Sequence, residues 1–177
     1  MTVPPELIPG MVCPGFLCID FAALASRGLH FLILDVDNTI SGLGAVSLIP
    51  GVVEHLHAAR EAGHLRGLCL VSNVMLGRHK VLRVERFARE LDAHFVAADW
   101  RAPKPSPLPF RAALQRMACE PSETVVVGDQ VYTDVRGGNR LGMFTVLVPP
   151  LGPDHWTTRL IGRRVRERRV LAALGLI

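Results

Sequence analysis

Apolar residues in this chain gather into short runs, and between the runs they recur at helical spacing. Phe31–Leu34, Leu68–Val71, Phe95–Ala98, Val125–Val127 and Met143–Val148 are bounded by polar, glycine or proline residues. They predict buried strands at 31–35, 67–71, 95–98, 124–128 and 143–148. Val52, Val53, Leu56 and Ala59 share one side of a predicted helix at about 51–62, which Gly63 ends. Val81, Val84, Ala88 and Leu91 do the same over 78–91, as do Phe110, Ala113, Leu114 and Met117 after the N-cap Ser106 and its following Pro107. A last helix is expected at about 131–141, and Asp20 can cap a short one through Ser26, with Gly28 to end it. Alternating strands and helices imply an α/β fold with a five-stranded parallel sheet and right-handed crossovers. In a Rossmann-like 3-2-1-4-5 order, the residues after strands one and four meet at the carboxyl edge, where such sheets build their sites.

A length of 177 residues with 49% hydrophobic composition suits one substantial core. We expect an N-terminal segment at 1–30, a core at 31–150 that closes at Pro149-Pro150, and a basic C-terminal helix or tail at 151–177. The formal charge of +4 lies wholly in that tail, where six arginines face Asp154 and Glu167. Cys13, Cys18, Cys69 and Cys119 form no C-x-x-C pair, and Cys69 and Cys119 fall on apolar element faces. That usage fits a reduced, cytoplasmic protein. Prolines 4, 5, 9 and 14 interrupt the first thirty residues, which argues against a signal peptide or a membrane span there.

Chemistry is concentrated at the predicted strand ends. Asp35 and Asp37 follow the first strand, with Thr39 close behind; Ser72-Asn73 follow the second, Lys104 lies after the third, and Gly128-Asp129 with Asp134 follow the fourth. A strand-end carboxylate can act as a nucleophile and its neighbour as a proton donor, while a lysine offsets the charge of a transferring phosphoryl group. Thr39, Ser72 and Asn73 can donate hydrogen bonds to phosphoryl oxygens. Carboxylates that must host an anionic substrate require a cation, and hard oxygen ligands suit Mg²⁺. Gly137-Gly138 is not followed by a phosphate-loop lysine and reads as close helix packing. His55 and His57 are two apart on a helix and make a poor metal pair.

Asp35-Val36-Asp37-Asn38-Thr39, Ser72-Asn73, Lys104-Pro105 and Gly128-Asp129 through Arg140 together resemble the haloacid dehalogenase superfamily, and within it the IIIA-type phosphatases of the YqeG family. The likeness extends to the Trp156-Thr157-Thr158-Arg159 stretch. Relatives of that family include phosphatidylglycerophosphate phosphatases. The resemblance implies a phosphomonoester hydrolase with Asp35 as nucleophile, Asp37 as general acid and base, and Lys104 as the catalytic cation. It implies Mg²⁺ held by Asp35, the Asp37 carbonyl and Asp129, with Asp134 behind them or bound through water; Asp134 can equally cap the following helix.

Neither inter-motif gap is long enough for a cap domain, so the site is expected to be open. An open site favours a bulky or membrane-bound phosphate ester, the expected substrate being phosphatidylglycerophosphate at the cytoplasmic membrane face. The tail arginines are candidates for peripheral contact with an anionic membrane, although they surround the helical wheel and leave no clean apolar face. Nucleic acid is disfavoured, because the tail lacks interleaved aromatics. Two other readings stand beside this one: a phosphatase of a soluble sugar phosphate or nucleotide closed by homo-oligomerisation, and an inactive adaptor of the same fold.

Overall fold

The computed structural model describes residues 2–73, 78–98, 100–153 and 162–176. Six parallel strands form one sheet: β1 (Met11–Val12), β2 (Phe31–Leu34), β3 (Gly67–Asn73), β4 (His94–Ala98), β5 (Thr124–Gly128) and β6 (Phe144–Leu147), in the order β1-β6-β5-β2-β3-β4. The five longer strands keep the expected order, with β2 paired to both β3 and β5. The sheet has one strand more than predicted. β1 joins its edge beside β6 and is only two residues long, between Pro9-Gly10 and Pro14, too short to carry a period.

The α-helices are α1 (Phe21–Ala25), α2 (Val52–Glu61), α3 (Arg78–Glu90), α4 (Pro107–Met117), α5 (Arg136–Asn139) and α6 (Arg163–Ala173), with short 3-10 turns at Pro5–Leu7, Phe16–Cys18 and Pro121–Glu123. Strand alternation divides the interior. Leu32, Leu34, Leu68, Leu70, Val125 and Val127 face a cluster that includes Leu56, Val84 and Phe87, whereas Ile33, Cys69, Val71 and Val126 face Phe110, Ala113, Leu114 and Met117 of α4. Both faces of the central strands are therefore dry, which is why these strands read as continuous apolar runs.

Two expectations need correction. The helix predicted at 131–141 is a wide π-type turn over Val131–Val135 followed by the short α5. The Gln130 carbonyl accepts from the amides of both Asp134 and Val135, and the extra residue in the turn carries the Asp134 carboxylate back to the Gln130 amide, 3.2 Å away. Nor does Pro149-Pro150 end the packed body. α6 returns to bury Val170 against Leu7, Val131, Val135 and Leu147, and Glu167 is buried with it. Gly137 and Gly138 do serve close packing: a Cβ on Gly137 would lie 2.2 Å from the Phe110 ring, and one on Gly138 would lie 2.6 Å from Thr145.

Candidate active site

The register explains why residues far apart in sequence meet. Leu34 of β2 lies beside Val127 of β5 and Leu70 of β3, so the chain leaves all three strands at the same edge. Asp35 follows β2, its amide still bonded to the Val127 carbonyl, and Asp129 follows β5. Lys104 enters from the loop between β4 and α4. Its buried ammonium donates to Asp35 Oδ1 at 2.6 Å, Asp134 Oδ1 at 2.7 Å and the Val71 carbonyl at 2.8 Å. Three donors meet three acceptors, so the lysine is fully satisfied. Gly128 makes room for this, since a Cβ there would stand 2.3 Å from the Asp134 carboxyl carbon.

Electrostatics follow from burial. Desolvation pushes the Asp35 carboxyl up to about 6, although the Lys104 charge and hydrogen bond pull the other way. Asp129 is raised well above the usual carboxylate range, first by burial and then by the nearby Asp35, with Arg164 opposing. Burial alone would lower Lys104, but Asp134 and Asp35 outweigh it and hold the ammonium above its ordinary value. The cluster is thus short of positive charge. One oxygen each of Asp35, Asp129 and Asp134 lies within 4.8 Å of the others, and Asp129 Oδ1 is buried without a hydrogen-bond partner among the described residues. An orphaned carboxylate oxygen beside two further carboxylates fits a hard divalent cation.

The other expected residues divide. The Thr39 hydroxyl donates to Asp35 Oδ2 at 3.1 Å, so it orients the carboxylate. Ser72 is buried at the end of β3. Asn73 exchanges two bonds with the Lys104 backbone, accepting from its amide at 2.7 Å and donating to its carbonyl at 3.4 Å. An amide side chain matches a peptide group donor for acceptor, and here Asn73 pins the lysine loop. Asp37 is close enough for its charge to raise Asp35 but is not hydrogen-bonded into the acid cluster among the described residues. Its Oδ1 accepts from Arg83 of α3 and from the Gly44 amide. Asp134 binds Lys104 and accepts from the Gln130 amide that precedes it, and it does not cap the helix that follows, since α5 has no side-chain cap.

Sequence reading missed three residues. Arg164 of α6 donates to the Asp129 carboxylate and carbonyl, and also to Glu167 at 3.0 Å. Burial raises Glu167, with Arg164 opposing. The only sequence signal for this pair is its i,i+3 spacing, a common helix-surface pattern. Arg83 lies among other basic residues of α3, and nothing in its local sequence distinguishes it. Trp156 through Arg159 and Asp154 lie outside the described residues.

A family model described as HAD-hydrolase-like matches residues 101–150. The chain is 31% identical over 151 residues to the probable phosphatase YqeG of Bacillus subtilis, covering 85% of this chain and 81% of that one. The chain belongs to the haloacid dehalogenase-like phosphatases. This phosphatase is also 30% identical to the chloroplastic phosphatidylglycerophosphate phosphatase 1 of Chlamydomonas reinhardtii, over 81% of its own length and 53% of the relative's. Against the glyceraldehyde 3-phosphate phosphatase of Pyrococcus furiosus the identity is 30%, over 55% of this chain and 40% of that one. The phosphatase thus spans about half the length of these last two relatives, or less. An uncharacterised protein from Listeria monocytogenes serotype 4b shares the fold, with a TM-score of 0.56 at 18% identity, over 72% of this chain and 84% of that one.

Proposed function

We propose that this phosphatase hydrolyses a phosphomonoester through an aspartyl-phosphate on Asp35, with phosphatidylglycerophosphate as its substrate. The observation that carries the reaction is the Asp35 carboxylate at the end of β2, oriented by Thr39 and Lys104 and lying beside the orphaned oxygen of Asp129. Asp35 attacks phosphorus and expels the alkoxide, which takes a proton from Asp37; Asp37 then removes a proton from the water that releases phosphate. Lys104 offsets the charge that gathers on the phosphoryl oxygens. Asp35, Asp129 and the Asp37 carbonyl would hold Mg²⁺, which supplies electrostatic stabilisation of the phosphoryl group when bound, with Asp134 behind them. No residue of this set is missing, which weighs against the adaptor reading.

The lipid substrate rests on the relative named for it and on the exposed arginines of α6. A soluble sugar phosphate is the second reading, favoured by the similarity to the glyceraldehyde 3-phosphate enzyme. Phosphate release from phosphatidylglycerophosphate in mixed vesicles, compared with a panel of sugar phosphates and nucleotides, separates them. The lipid should give the highest kcat/KM; a soluble ester that exceeds it would replace the lipid. In the same assay EDTA should abolish turnover, Mg²⁺ should restore it, and Asp129→Ala should respond poorly to added Mg²⁺. Full activity after complete chelation would overturn the metal assignment.

A further inference from the structure

Asp37 is held by a contact that the proposed reaction has not yet used. The side chain of Arg83, twelve per cent exposed, reaches from α3 across 46 residues of sequence to Asp37 Oδ1. Its other terminal nitrogen donates to the Ala45 carbonyl at 2.8 Å, and the Gly44 amide donates to the same Asp37 oxygen at 3.2 Å. Behind it, the guanidinium lies 5.6 Å from the centroid of the fully buried Phe87 ring. One oxygen of Asp37 is therefore fixed by two donors. The other, Oδ2, has no hydrogen-bond partner among the described residues.

We infer that Arg83 is a positioning residue for proton transfer: it clamps Asp37 Oδ1 so that Oδ2 faces the reacting oxygen. This rests on the reading of Asp37 as general acid and base. Asp37 belongs to an irregular segment and its side chain is 29% exposed, so within that segment the Gly44 amide is its one anchor among the described residues, and a second must come from a packed element. α3 can supply one, because Val84, Phe87 and Ala88 anchor that helix in the core. A planar guanidinium is suited to the task, since its terminal nitrogens hold a carboxylate and a carbonyl in fixed directions, which the freely rotating donors of a single ammonium do not impose. Proton transfer requires approach to hydrogen-bond distance, and a misplacement of about 1 Å can cost roughly a hundredfold in rate.

p-Nitrophenyl phosphate tests the inference, because its leaving group needs no proton. The first step then proceeds without an acid: the Asp35 oxygen bonds to phosphorus as the P–O bond to p-nitrophenolate breaks. The second step still requires a base, since water must pass a proton to Asp37 as it attacks phosphorus and the bond to Asp35 breaks. With Mg²⁺ present, Arg83→Met should release a burst of about one p-nitrophenolate per site, followed by steady turnover at least about tenfold below wild type with little change in KM. Asp37→Asn is the control and should show the same burst. If the control shows none, the acid–base reading of Asp37 fails. If the control bursts while Arg83→Met turns over like wild type, or loses burst and turnover together, the positioning role of Arg83 is overturned. Thermal melting accompanies each protein. Should Arg83→Met not fold, Arg83→Lys takes its place under the same criteria.

Discussion

Lys104 holds the acid cluster together, because its ammonium is the cation that Asp35 and Asp134 share in the buried edge of the sheet. Replacing it with Met strands two buried carboxylates. In EDTA, Lys104→Met should lose about 3–5 kcal/mol of stability in urea denaturation at neutral pH, and added Mg²⁺ should recover part of it. Asp35 adds a pH signature. Its carboxyl is raised to about 6 in the folded protein from an ordinary 3.8, so between those values the folded state binds more protons than the unfolded one. That contribution is fully present below the lower value and is lost as pH rises through the upper one. Compared in EDTA, Asp35→Asn should therefore gain on wild type by on the order of 2–3 kcal/mol between pH 4 and pH 7, while losing turnover completely in Mg²⁺. A stability difference that stays flat across that range would rule out the raised carboxyl.

Elements place these residues through close contacts that only small side chains permit. α5 lies against α4 because Gly137 has no Cβ to strike Phe110, and the π-type turn before it sets Asp134 over Gly128. Gly137→Ala improves local helix propensity but forces Phe110 to move within a full core. Overpacking should outweigh propensity, giving a net loss of about 1–3 kcal/mol in urea denaturation. The motif residues from 128 onward were legible, but not the shape of the segment that carries them. Residues 131–141 have a helical pattern, and Asp134 is drawn toward Lys104 by a residue thirty positions away.

On the scale of the whole molecule, α6 joins the site to a basic surface. Among the described residues no helix is long and apolar enough to cross a membrane. Arg164 is engaged with Asp129 and Glu167, whereas Arg166, Arg168 and Arg169 are exposed. These three are the ones to change. Replacing them with Gln should leave the melting temperature unchanged and lower turnover of phosphatidylglycerophosphate in anionic vesicles more than tenfold at low salt, from about 1 kcal/mol per charge. A soluble ester should be hydrolysed as before, and salt should erase the difference. Equal loss on both substrates would show that the helix serves the site and not the membrane. Removing residues 162–177 is a poorer test, since Val170 is part of the core.

The five longer strands, the strand-end positions of Asp35, Ser72 and Asp129 and the place of Lys104 in the loop after β4 were legible in the chain alone, because each depends on local information: an apolar run, a helical period, a cap, a motif; the order of the strands followed only as what a Rossmann-like fold implies. Tertiary structure alone decided which charges pair. Lys104 joins Asp35 across 69 positions, Arg83 reaches Asp37 across 46, and Arg164 reaches Asp129 across 35. An ion pair between distant residues leaves no periodic trace, and a buried cation looks the same in sequence as a solvated one. What distinguishes them is desolvation, which exists only once the sheet has brought β2, β3 and β5 to a common edge.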